Sequence, residues 1–168
     1  MSDANNIYKL YAENAAQPQM TIESDGAQRW RLNGKLHRVD GPAIKHLNGD
    51  EAWYQHGKLH RDGGPAASAS DGFKAWYQHG KLHRVGGPAM EWPNGSKEWY
   101  QHDKWHREDG PAIEFADGRK FWYLNGKHFD SANEWAQMVL KMHNKPNDKR
   151  AADDFLNSIY KKQVNALM

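Results

Sequence analysis

A mainly β fold, a single-layer antiparallel sheet of tandem β-hairpin repeats with a short helix before it and two helices after it, is what this sequence predicts. Three observations carry that prediction. Trp30, Trp53, Trp76, Trp99 and Trp122 recur at a constant step of 23 residues. His37, His60, His83 and His106 keep the same step, as do Pro42, Pro65, Pro88 and Pro111. Each repeat also holds two turn signals, most of them bearing glycine. A fixed period of this length marks one supersecondary unit copied and stacked.

The elements follow in chain order. Residues 1–20 lack the period and form a helical cap: Ile7, Leu10 and Tyr11 share one helical face, and Ser2 or Asp3 can cap it. Residues 21–130 form the repeat array. One turn signal is Asn48-Gly49, Asp71-Gly72, Asn94-Gly95 and Asp117-Gly118. The other is Asn33-Gly34, His56-Gly57, His79-Gly80, His102-Asp103 and Asn125-Gly126. Such pairs tolerate positive φ and suit tight type I′ hairpins. Two-residue loops then set Tyr54 opposite Leu59, Trp53 opposite His60 and Ile44 opposite Trp53. Because side chains alternate, Ile44, Trp53 and His60 fall on one face, with Met90, Trp99, His106, Ile113 and Trp122 following in later repeats and Trp92 and Phe115 nearby. Tyr54, Tyr77, Tyr100 and Tyr123 fall on the other. A Gly-Pro-Ala step joins successive hairpins, with proline at a strand start where its missing N–H does no harm.

Residues 131–168 form a C-terminal helical cap. Ser131 and Glu134 have capping-box spacing. Trp135, Met138, Val139 and Met142 follow at helical spacing, and Asn144-Lys145-Pro146-Asn147 ends that helix. A second helix starts near Asp148 and carries Phe155, Leu156, Ile159 and Tyr160 on its apolar side. These helices would cover the open end of the array, as repeat proteins require, or serve as a docking surface.

Composition narrows the function classes. The 23 basic and 21 acidic residues nearly balance, which is poor support for bulk phosphate binding. There is no cysteine, so disulfide and thiol chemistry are absent, and a cytoplasmic setting fits. No run is long or apolar enough for a signal peptide or a membrane span. Eight Trp and seven Tyr supply much of what can be buried.

Candidate chemistry lies in rows. His56/His60, His79/His83 and His102/His106 show the His-x3-His spacing of zinc motifs. Here, however, the first histidine occupies a turn slot that Asn33 and Asn125 also fill, and equivalent histidines of successive repeats would stand ~10 Å apart, too far to share an ion. No metal or other cofactor is expected. Arg61, Arg84 and Arg107, with Arg38 and the Lys35, Lys58, Lys81, Lys104 and Lys127 row, would line one edge with positive charge for a partner. They would equally pair with neighbours such as Asp40, Glu108 and Asp109 and cap the Gly-Pro step. Tyr54, Tyr77, Tyr100 and Tyr123 would be a stacking platform or simple packing. Trp92-Pro93, Trp105 and Met90 are unique features that cluster in the third and fourth repeats, and Trp is enriched where binding energy concentrates. No Ser-His-Asp set, paired carboxylates or phosphate loop stands out, and catalytic sites normally break a repeat, so no enzyme is expected.

The aromatic start, the Asn-Gly-Lys turn and the Asp-Gly turn together resemble the MORN repeat over roughly residues 21–127. The strings Leu36-His37-Arg38-Val39-Asp40-Gly41-Pro42-Ala43 and Trp105-His106-Arg107-Glu108-Asp109-Gly110-Pro111-Ala112 are similar to a MORN variant of phages and large DNA viruses. The pattern departs at His102-Asp103, Asp62-Gly63-Gly64 and Val85-Gly86-Gly87. The resemblance implies a protein-binding module without catalytic residues, in one version a phage-type inhibitor, anti-defence or antitoxin-like, that blocks a host or toxin protein in the host cytoplasm. The alternatives are a nucleic-acid-binding protein using the Arg, Lys and Tyr rows, or a structural protein of a virion.

Overall fold

The computed structural model describes residues 17–165. The helix expected over Ile7, Leu10 and Tyr11 lies outside them. The chain divides into two compact units, Met1–Lys81 and Leu82–Met168. Among the described residues the fold is mainly β, with antiparallel hairpins throughout and two helices at the end.

The first unit contains β1 (Gln19–Ile22), β2 (Gln28–Leu32), β3 (Lys35–Leu36), β4 (Ile44–Lys45), β5 (Glu51–Ala52), β6 (Tyr54–Gln55), β7 (Lys58–Leu59), β8 (Ala67–Ser68), β9 (Lys74–Ala75) and β10 (Tyr77–Gln78). Its sheet runs β1-β2-β4-β5-β8-β9, with β3 paired to β2 and β6 paired to β7 as a separate ribbon. The short strand β11 (Lys81–Leu82) follows in the chain. The second unit contains β12 (Met90–Glu91), β13 (Lys97–Glu98), β14 (Tyr100–Gln101), β15 (Lys104–Trp105), β16 (Ile113–Glu114), β17 (Lys120–Leu124), β18 (Lys127–Phe129), α1 (Ala132–Met142) and α2 (Lys149–Asn165). Its sheet runs β12-β13-β16-β17-β18, and β14–β15 form a ribbon of their own.

Each repeat thus makes two hairpins of different kinds. The hairpin after the Trp matches the sequence expectation: Tyr54 faces Leu59 and Gln55 faces Lys58. Its loop residues His56 and Gly57 both have positive φ, 52° and 79°, as a type I′ turn requires. The other hairpin differs from expectation. Ile44 faces Ala52 and not Trp53, and in the fourth repeat Ile113 faces Phe121 and not Trp122. The loop is one residue longer, because His46 N–H bonds the Asp50 carbonyl and only Gly49, at φ 92°, takes the left-handed conformation. The Asn48 side chain accepts the Asp50 N–H at 3.1 Å, and Asp71, Asn94 and Asp117 do the same two residues on. These Asx turns stabilise the three-residue loop and its glycine bulge. A one-residue change of register exchanges faces, so Ile113 joins the Tyr123 side of the sheet.

The Trp of each repeat sits at the corner between its two hairpins. Trp53 N–H bonds Ala66 O at 2.6 Å, while Trp53 O accepts from His60 N at 3.0 Å. The alanines of the Gly-Pro-Ala steps, Ala43, Ala66, Ala89 and Ala112, are fully buried at these junctions. Arg38, Arg61 and Arg107 lay their guanidinium carbons over Trp30, Trp53 and Trp99, at 4.2, 3.8 and 3.8 Å from the ring centroids. Glycine closes the stack from the other side. A Cβ on Gly41, Gly64, Gly87 or Gly110 would stand 2.6–2.9 Å from the guanidinium carbon of Arg38, Arg61, Arg84 or Arg107. Space, not backbone freedom, calls for glycine there.

At the end of the chain the helices cover the last hairpin. Trp122, Leu124 and Phe129 pack with Trp135, Val139, Leu156 and Ile159. These strand residues alternate with Tyr123, so the helices take the face opposite the tyrosine row. Trp135 is fully buried, lies 4.6 Å from the Trp122 ring and donates its indole N–H to Arg107 O at 3.1 Å. Ser131 Oγ accepts the Glu134 N–H, and Asp148 Oδ1 accepts the Ala151 N–H, capping the two helices. Met142 and Tyr160, placed on the apolar stripes by spacing alone, are 44% and 43% exposed.

Gly110→Ala tests the stack directly. The added methyl must push the Arg107 guanidinium from its place over Trp99, so stability should fall by about 0.5–1 kcal/mol, the worth of a partly exposed cation–π contact, and equilibrium denaturation measures this.

Candidate functional site

The histidine row is structural in a way that its sequence spacing conceals. His37, His60 and His106 are buried. The Nδ1 of each accepts the backbone N–H of the turn residue 19 positions on: His56, His79 and Asn125, each at 3.1 Å. An accepting Nδ1 puts the ring proton on Nε2. For His106 that nitrogen lies 3.2 Å from Glu108. The rings of His37 and His60 also contact those of His56 and His79, each pair with centroids 4.5 Å apart. The partner of each repeat histidine is thus the turn of the next hairpin, not the histidine four residues before it. Main-chain bonds complete the joint. In the first unit Gly57 N–H bonds Leu36 O, and Arg38 N–H bonds Tyr54 O. At the far edge Asp50 accepts the Ser70 N–H at 2.8 Å, and Ser96 accepts the Ala116 N–H at 3.0 Å.

His83 departs from this rule. Its Nδ1 is buried without a hydrogen-bond partner among the described residues, although the His102 ring still contacts it, tilted, with centroids 4.3 Å apart. The departure coincides with Asp103, which replaces the turn glycine, takes φ 65° and accepts the Leu82 N–H on its carboxylate at 2.7 Å. Among the described residues no three His, Asp or Glu side chains are grouped so as to hold a metal ion.

The arginines are engaged within their own repeats. Arg61 bonds Pro65 O at 3.2 Å beneath Trp53. Arg84 bonds Pro88 O at 2.9 Å and Glu91 at 3.0 Å. Arg107 bonds Pro111 O at 3.1 Å and pairs with Asp109 and Glu114 at 2.7 and 2.8 Å. Arg38 pairs with Asp40 at 2.9 Å. The lysines Lys35, Lys58, Lys104 and Lys127 are exposed, and the stems of Lys35, Lys58 and Lys104 lie along the turn glycines Gly57, Gly80 and Gly126.

The remaining sequence candidates divide between the units. Tyr54, opposite Leu59, and Tyr77 are half-buried in the first. In the second, Tyr100, Trp105, Tyr123 and His128 form one row, with centroid separations of 5.4, 5.1 and 5.0 Å. Trp92 belongs to this cluster, not to the face of Trp99, because of the longer hairpin loop. What gathers the rings is Glu98. Its Oε1 accepts the Trp92 indole N–H at 3.1 Å. Its Oε2 accepts the Tyr100 hydroxyl at 2.9 Å and the Trp105 indole N–H at 3.0 Å. Trp92 remains 41% exposed. Sequence reasoning missed Glu98, but a signal existed: Ala52 and Ala75 occupy the same position in the two preceding repeats, just as Leu59 and Leu82 precede Trp105. A concavity of about 610 Å³ is lined by Val139, Leu140, Phe155 and Pro146 together with Glu108 and Asp109.

No protein-family model matches the chain, and no curated protein matches it.

The histidine geometry predicts acid sensitivity. Burial, reinforced by the neighbouring His56 or His102, holds His37 and His83 below the ordinary imidazole value. The unfolded chain therefore takes up protons first as pH falls below about 6.5, and stability declines through that window until the lowered native values are reached. Denaturation midpoints should fall between about pH 7 and pH 5, and a His37→Gln, His83→Gln double variant should reduce the slope. A midpoint that rises as pH falls would contradict this.

Proposed function

We propose that the protein is a non-catalytic binding module of MORN type, and that the aromatic cluster of its third and fourth repeats grips a protein partner. The observation that carries this reading is the convergence of the departures from the period. Glu98 and Trp105 break columns held by Ala and Leu in the preceding repeats, Trp92 stands at a position that varies from repeat to repeat, and the three meet at one carboxylate on a half-exposed face. Packing alone does not call for them, since Ala and Leu fill the Glu98 and Trp105 positions in earlier repeats. Rigid, partly exposed aromatic rings are suited to anchoring a partner. In its concrete form the module is a phage-type inhibitor that lays this face over a host or toxin protein in the cytoplasm.

Nucleic-acid binding is the second reading, favoured by the exposed lysine row. Against it stands the internal engagement of the arginine row, which leaves each repeat little free guanidinium for phosphate.

Capture from bacterial lysate by the whole chain should yield one stoichiometric protein. Trp105→Leu restores the residue of earlier repeats, so it should keep the fold and lose that protein. Retention by the variant would remove this face from the reading. A salt titration with single-stranded and duplex DNA separates the rival, which requires affinity that falls steeply with salt.

A further inference from the structure

We infer that the Trp92–Glu98–Trp105 cluster is a receptor for one basic side chain, a lysine or an arginine presented by the protein partner. This rests on the binding-face reading above and adds the chemistry of what that face accepts. The cluster carries one formal charge, the Glu98 carboxylate, and its three partners are neutral donors. Among the described residues no Lys, Arg or His side chain pairs with Glu98, although Arg84, Arg107, Glu91 and Glu114 nearby are all paired in ion bridges. A carboxylate offers about four acceptor positions. Three are filled, which leaves one on Oε1, the oxygen that accepts only the Trp92 indole. A cation placed there gains the carboxylate and a ring face together. An anionic or purely apolar group would gain neither.

The arrangement also explains why the donors are indole and phenol groups. They hold Glu98 in place by hydrogen bonds without neutralising it, so its charge remains available to a ligand. An arginine at the Trp105 position would satisfy the carboxylate internally, as Arg107 does for Glu114 at 2.8 Å.

The test uses the full chain and a blocked Gly-Arg-Gly amide, with the isosteric but neutral citrulline peptide as control, followed by the indole N–H resonances of Trp92 and Trp105. The arginine peptide should shift both resonances saturably and the citrulline peptide should not. Glu98→Gln should weaken the response at least about tenfold, the fold-change that corresponds to losing one hydrogen bond to a charged group. Glu98→Asp, which keeps the charge, should recover part of it and guards against a fold change in the Gln variant. Equal responses to the two peptides, no saturable shift, or an unchanged Glu98→Gln variant would overturn the inference. A partner captured by the wild type and lost by Trp105→Leu, with no arginine response, would overturn the cation site while leaving the binding face in place. An arginine response with no captured partner would support the cation site and count against the inhibitor reading.

Discussion

A backbone N–H donated to a buried imidazole nitrogen joins one repeat to the next, and most of the repeated string is arranged around that bond. His37, His60 and His106 each reach 19 residues along the chain to the turn of the following hairpin. An ordinary β ladder would use a carbonyl there. The imidazole replaces it and adds a flat ring to pack against the next turn. A bond of this kind contributes about 0.5–1.5 kcal/mol net, but leaving the N–H buried and unpaired costs about 1–3 kcal/mol. Spacing between hairpins is therefore held more by the penalty for losing the contact than by its gain. The neighbours in the string follow from the same joint. Arginine covers the Trp corner and reaches the proline carbonyl, glycine leaves room for the guanidinium, and alanine fits where two backbones meet.

With the repeated residues committed to one another, the proposed binding face is built from positions that vary. The junction of the third and fourth repeats concentrates them. Asp103 replaces a turn glycine, and in the same joint His83 lacks the bond its counterparts make. Trp105 replaces leucine, Glu98 replaces alanine, and their side chains meet at 3.0 Å. Local regularity is given up in the same stretch where a partly exposed aromatic face is built. That coincidence is what sequence-to-structure consistency leads one to look for, since functional sites are where local rules are broken.

Much of the fold was legible in the sequence because a strict period multiplies weak signals. The two-residue turns, the pairing of Tyr54 with Leu59 and the two C-terminal helices could all be read from turn chemistry and spacing. The register of the other hairpin could not. Asn-Gly suits both a two-residue turn and an Asx-stabilised three-residue loop, and the choice moves Ile113 to the opposite face. The candidate site suffered from the same ambiguity: Trp92 and Trp105 stood out as departures, but the face that brings Trp92 to Tyr100 depends on that register. The histidine contact was hidden for another reason. Its partner is a main-chain N–H, which carries no residue identity, so His56, His79 and Asn125 serve equally well and no pattern of side chains reports the bond.

The imidazole tautomers test this account most directly. Long-range nitrogen–proton correlation spectra of the full chain at neutral pH report which ring nitrogen of each histidine carries the proton. His37, His60 and His106 should carry it on Nε2, with the bare Nδ1 showing a coupling through the hydrogen bond to the backbone nitrogens of His56, His79 and Asn125. A proton on Nδ1 in these rings would contradict the joint and the assignment of the repeated string to structure.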